Sequence, residues 1–163
     1  PPVTSLASRG GRLILSGSKV FVPCWSKEAT LLVTATFGGE PCIVALAPSN
    51  IGTTFVTRRM TDGSVAADIS FDGVVLDEES ILLRGDAARQ AILLATARGT
   101  VALSAQLEGL SRKLHRMTAD YVVQRAQFDR PLADFQSIRH TLANLHCEID
   151  LGAASWRRAT APT

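Results

Sequence analysis

From about Asp86, a good helix N-cap residue, to Gln127 the chain contains no proline, and its apolar residues fall at Leu103, Leu107, Leu110, Leu114, Met117 and Tyr121. Steps of four and three place those side chains on one face of a helix. A helix of roughly 40 residues spans about 60 Å at ~1.5 Å per residue, longer than a domain of this size can cover alone. Its apolar seam must therefore pack against something that this chain does not supply. Phe135, Ile138, Leu142, Leu145 and Ile149, followed by the small cluster Gly152-Ala153-Ala154, repeat the pattern in a second helix. The two can pair antiparallel, each burying a stripe on the other, and still leave apolar edges. Further helices are expected from the parent protein, from a partner subunit, or from both.

The first half has a different period. Leu13-Ile14-Leu15, Val20-Phe21-Val22, Leu31-Leu32-Val33, Ile43 to Leu46, Phe55-Val56, Ala67 to Phe71 and Val74-Val75-Leu76 are short apolar runs. Turn signals separate them at Ser16-Gly17-Ser18, Phe37 to Pro41, Pro48-Ser49-Asn50, Asp62-Gly63 and Asp72-Gly73. That rhythm predicts an antiparallel barrel or sandwich. The expected class is α+β, with a partial β-domain over residues 1–80 and two long helices of a helical domain over 81–163. The acidic Asp77-Glu78-Glu79 and Gly85 mark a solvated boundary between them.

Composition narrows the function. A net charge of +2, with basic residues scattered rather than striped, gives no reason to expect nucleic acid. No apolar run approaches the ~20 residues that a membrane span requires. Cys24, Cys42 and Cys147 form no CxxC pair, and the three histidines have no ligand partners at metal-binding spacing. Neither a zinc site nor a disulfide framework is expected, and buried or incidental thiols suit a reducing cytoplasm. The chain opens Pro1-Pro2 without methionine or a signal-peptide pattern, as a trimmed or expressed fragment would.

The chemistry concentrates where the helices break. Pro131 cannot continue a helix and pushes Arg130 toward extended geometry, so the first helix should stop near Phe128 or Asp129. The second should open between Pro131 and Asp134. Arg125 then falls in the last turn of the first helix, beside Gln127 and Phe128, with Phe135 and Gln136 entering the second. An arginine fork with free helix N–H groups suits a phosphate or pyrophosphate. A solvated C-terminal cation and a core phenylalanine pair are the alternative reading of the same residues.

Tyr121-x-x-x-Arg125-x-Gln127-Phe128, followed by Pro131-Leu132-x-x-Phe135-Gln136-x-Ile138-x-His140-x-Leu142-Ala143, resembles the acyl-CoA dehydrogenase family at the first two helices of its C-terminal bundle. Upstream, Leu15 to Lys19 with Phe21-Val22-Pro23 is similar to the family's central β-domain, and Asp68 to Val74 resembles its closing strands. The resemblance covers essentially the whole chain.

It implies an FAD enzyme that oxidises an acyl-CoA thioester across its α and β carbons, a glutamate taking the α-proton and the flavin the β-hydride. Arg125 would contact the FAD pyrophosphate with Gln127 and Phe128 beside it, while Gln136 and Phe135 would face the nucleotide part. In the family this corner usually serves FAD held mainly by a neighbouring subunit, so the clamp doubles as an oligomer contact, homomeric or heteromeric. Phe21 and Val22, with Pro23, match the family's flavin-contacting segment. Pro23 lacks a hydroxyl and a backbone N–H, and Asp129 stands where the family usually has glycine.

No catalytic residue is assigned. The family's usual glutamate would follow Thr163, and the alternative location near Gly99 and Thr100 holds no carboxylate. Glu108, Glu148 and Asp150 read as surface or inter-helix charges. An electron-transferring flavoprotein is the family's usual acceptor. A non-catalytic partner subunit of a heteromeric acyl-CoA dehydrogenase is the second reading, and a flavin-free interaction module the third.

Overall fold

The computed structural model describes residues 4–23, 26 and 28–160; Cys24 therefore lies outside the described residues. The first unit extends to Leu93 and the second begins at Leu94. Seven strands build the first: β1 (Ser5–Arg9), β2 (Arg12–Pro23), β3 (Leu31–Phe37), β4 (Glu40–Leu46), β5 (Thr53–Arg59), β6 (Val65–Leu76) and β7 (Ile81–Arg84). They form one sheet in the order β5-β6-β2-β1-β3-β4-β7. All neighbours run antiparallel except β1 and β3, which are parallel, so the sheet is mixed.

Alternation makes the core. Leu31, Val33 and Ala35 of β3 and Cys42, Val44 and Leu46 of β4 point to one buried side with Leu13, Leu15, Ile69, Phe71, Val74 and Leu76. Burying such side chains contributes about 1.5–3 kcal/mol each.

Ser16-Gly17-Ser18 and Asp72-Gly73, expected as turns, instead lie inside the two longest strands. Between the pairs Leu15 with Val74 and Gly17 with Phe71, β6 advances one residue more than β2, and Gly73 takes φ 62° there. The extra residue is a bulge, which lets burial pass from Phe71 to Val74 without breaking the strand. A second bulge has the opposite sense: β2 gains a residue between Lys19 and Val22. Phe21 occupies it with φ 59°.

Residues 81–84, counted with the helical part on sequence grounds, pair with β4 as β7. Glu78–Ser80 forms a single 3-10 turn before it, where Arg84 meets Glu78 in an ion pair. Helix α1 (Gly85–Gln124) follows. It opens at Gly85, so Asp86 lies within its first turn rather than at its cap, within 3.5 Å of Arg89. No helix is long and apolar enough, among the described residues, to cross a membrane.

In the second unit α1 pairs with α2 (Gln136–Thr160). Arg112 connects them, reaching Glu108 on its own helix at 2.6 Å and Asp150 on α2 at 3.0 Å. His115 Nε2 lies 2.9 Å from the Leu142 carbonyl, and its ring centroid is 5.4 Å from that of His146. The expectation that each helix buries its stripe on the other holds only in part: Ile138, Leu142 and Ile149 of α2 are partly buried, whereas the α1 stripe is not. Leu103, Leu107, Leu110, Leu114, Met117 and Tyr121 all remain between 54 % and 62 % exposed. A groove of about 750 Å³ stays open along the pair, lined by Leu107, Leu114, Leu142, Leu145, Ile149 and Trp156 among others.

Candidate functional site

The helix break is a built corner rather than a loose link. α1 stops at Gln124, about four residues before the expected end, and the Arg125 N–H makes one more helical bond to the Tyr121 carbonyl at 2.9 Å. The chain then folds into a minimal hairpin of β8 (Ala126–Gln127) and β9 (Arg130–Pro131), with Ala126 opposite Pro131 and Gln127 opposite Arg130. Phe128 and Asp129 form its two-residue turn with φ 55° and 63°. Two successive left-handed residues match the twist of an antiparallel pair, which is why such turns normally carry glycine or asparagine.

A 3-10 turn over Leu132–Asp134 then leads to α2 at Gln136, two residues beyond the latest expected start. Phe135 is extended, with φ −79° and ψ 121°, and its carbonyl receives the N–H groups of Ile138 and Arg139, both at 3.1 Å. Pro131 therefore does not begin a helix. It closes the hairpin, where its missing N–H costs no ladder bond beyond the two residue pairs.

The corner brings together the residues singled out in the sequence. Arg125 lies one residue past α1, exposed, and among the described residues its side chain enters no ion pair or hydrogen bond. Phe128 is 84 % exposed, and its ring meets that of Phe135 edge-on with centroids 6.3 Å apart. The Arg130 guanidinium carbon sits 4.0 Å from the Phe135 ring centre, a cation–π contact. Arg130 was not among the candidates, although its place beside Pro131 was visible. Asp129 makes no ion pair with it.

Phe21 and Val22 belong to the other unit. Phe21 is 59 % exposed at its bulge, and its N–H donates to Asp68 Oδ1 at 2.9 Å. Arg58 holds the other oxygen of Asp68 at 2.9 Å. The Phe21 amide and then the Arg58 guanidinium hold the Asp68 carboxyl below the usual carboxylate range. With the Phe21 N–H engaged and none on Pro23, this segment presents an aromatic face with fewer free main-chain donors than an open strand would.

Two of the helical acids share one cation. Glu108 and Asp150 share Arg112, while Glu148 lines the open groove. Arg112 is held more firmly charged, chiefly by Glu108 and then by Asp150. No group of three or more histidine, cysteine, aspartate or glutamate side chains is gathered for a metal among the described residues.

Known proteins share this arrangement. Residues 88–161 match the family described as acyl-CoA dehydrogenase, C-terminal domain. Acyl-CoA dehydrogenase FadE28 of Mycobacterium tuberculosis is 36% identical over an alignment covering 97% of this chain and 44% of that protein. A variant of the Tcur3481-Tcur3483 steroid ACAD superimposes with a TM-score of 0.79 at 28% identity, over 97% of this chain and 42% of the other. A glutaryl-CoA dehydrogenase from Mycobacterium smegmatis in complex with FADH2 does so with a TM-score of 0.75 at 25% identity, over 92% and 39%. The chain thus spans less than half the length of each relative. With both the mixed sheet and the cornered helix pair held in common, the chain belongs to the acyl-CoA dehydrogenase family.

Proposed function

We propose that this chain supplies an FAD-contacting corner, and with it a subunit contact, to a protein that oxidises an acyl-CoA to its α,β-unsaturated product. The observation that carries the reading is the corner itself: an exposed arginine whose side chain has no partner among the described residues, set between two helices beside a short hairpin and the rings of Phe128 and Phe135. Arg125 would bind the pyrophosphate, Gln127 and Phe128 would flank it, and Phe135 and Gln136 would border the nucleotide. The relative bound to FADH2 supports a flavin as the group. When bound, FAD supplies the acceptor for the hydride; this chain's residues bind and orient it. Exposure of Phe128 and of the α1 stripe supports a site completed by a neighbouring subunit, homomeric or heteromeric. An electron-transferring flavoprotein is the acceptor to assay first. The likeness to a steroid ACAD supports assaying steroid acyl-CoA thioesters as well as linear ones.

Purification of the parent protein tests this. A yellow protein that releases FAD on denaturation is expected, with Arg125→Ala weakening FAD binding by about tenfold or more. A colourless parent protein, or unchanged FAD retention in Arg125→Ala, overturns the reading.

A second reading is a non-catalytic partner subunit, and a glutamate elsewhere in the parent chain decides between the two. Gly99 and Thr100 carry no carboxylate, and Glu108 and Asp150 share Arg112. Turnover by the parent protein alone would exclude it; activity only after a second chain is added would establish it.

A further inference from the structure

Lys19 is one of only three lysines in the chain, with Lys27 and Lys113. It lies on β2 directly before the Phe21 bulge, paired in register with the buried Ile69. Its ammonium donates to Thr34 Oγ1 at 3.1 Å and has no carboxylate partner among the described residues. Lys19 also lines a cleft of about 190 Å³, where the apolar Val22, Leu31, Val33 and Ile69 adjoin the hydroxyl-bearing Thr30 and Ser26.

We propose that Lys19 is an acyl-acceptor site, N-acylated by short-chain acyl thioesters whose acyl group settles in the cleft lined by Val22, Leu31, Val33 and Ile69. The unprotonated Nζ attacks the thioester carbonyl carbon. A C–N bond forms, the C–S bond breaks, the thiolate of coenzyme A departs, and the proton lost from nitrogen passes to that thiolate or to water.

Three features converge on this chemistry. Only a neutral amine is nucleophilic, and half-burial without a counter-charge lowers the Lys19 ammonium from its ordinary range. The Thr34 hydroxyl accepts from Nζ and fixes its position, and the amide product still has one N–H to donate there. Acylation also removes a charge that the cleft penalises and adds methylene groups that its apolar lining receives. Lys113, by contrast, is exposed on α1. The proposal does not depend on the FAD reading.

The test is incubation of the full chain with butyryl-CoA at mildly alkaline pH, followed by peptide mass spectrometry. Lys19 should acquire a butyryl group about tenfold faster than Lys113 in the same sample, and its advantage should persist as pH falls toward neutrality. Thr34→Val, which keeps the β-branched shape, should reduce that advantage while leaving Lys113 unchanged. Equal rates at the two lysines, or a Lys19 advantage that vanishes toward neutral pH, overturn the proposal. The internal comparison needs no variant, so a folding defect cannot mimic either result.

Discussion

The main-chain N–H of Phe21 and the guanidinium of Arg58 grip opposite oxygens of Asp68, each at 2.9 Å, so one carboxylate secures both the β2 bulge and the neighbouring edge strand. Its carboxyl is held below its ordinary value, by the Phe21 amide first and by Arg58 second. A carboxylate depressed in the folded state stabilises fully above its unfolded value, about 3.9, and loses that contribution as pH falls through the lower folded value. Urea midpoints measured across the acid range should therefore fall toward low pH in the native chain and fall less steeply in Asp68→Asn. Parallel profiles for the two proteins would contradict this role.

The hairpin turn carries two side chains in a backbone region that glycine favours. Relieving one of them should help: Asp129→Gly is expected to stabilise the fold by about 1 kcal/mol, net of the extra freedom glycine gives the unfolded chain. Chemical denaturation of both proteins checks it, and a loss of stability would show that Asp129 makes a compensating contact. Asp129→Asn should give a smaller gain, because asparagine enters the left-handed region more readily than most residues.

Gly52 is a sterically required glycine. Its φ is +90°, and a Cβ there would lie 2.5 Å from the Asp72 carbonyl oxygen and 3.3 Å from Val74 Cγ2. The Asp72 N–H also donates to the Gly52 carbonyl at 2.9 Å, so the backbone cannot easily retreat. Gly52→Ala should cost at least about 2 kcal/mol, read as a lowered urea midpoint. A near-neutral effect would mean that the β6 bulge can shift to make room.

Cys42 and Cys147 should separate cleanly under alkylation. Cys42 has no solvent exposure, and burial pushes its thiol up, opposed in part by the nearby Arg84. Cys147 is exposed on α2. Iodoacetamide in native buffer should label Cys147 and leave Cys42 intact until denaturant is added, as peptide mapping would show. Early labelling of Cys42 would indicate local opening of β4.

The elements that sequence reasoning located share a cause: their period is imposed by burial. Leu31, Val33 and Ala35 alternate because one face of β3 is covered, and Ile138, Leu142 and Ile149 recur because one face of α2 is partly so. The errors also have causes. Gly17 and Gly73 read as turns because glycine punctuates both turns and bulges, and only pairing between β2 and β6 decides which. α1 ends earlier than its sequence predicts because Phe128-Asp129 contains no asparagine or glycine to announce a left-handed turn. The Leu103 to Tyr121 stripe was visible as a stripe. What covers it was not, because periodicity names a face and never its partner.

The closing bond of the corner has a practical consequence for mutagenesis. Leu132 donates its N–H to the Arg125 carbonyl at 2.8 Å, while the Arg125 N–H remains bonded to Tyr121. The fold thus uses the arginine's main chain and leaves its side chain unspent. Replacing that side chain can report on ligand capture with the bend intact, whereas proline at 132 would remove the donor and undo the bend with every guanidinium still present.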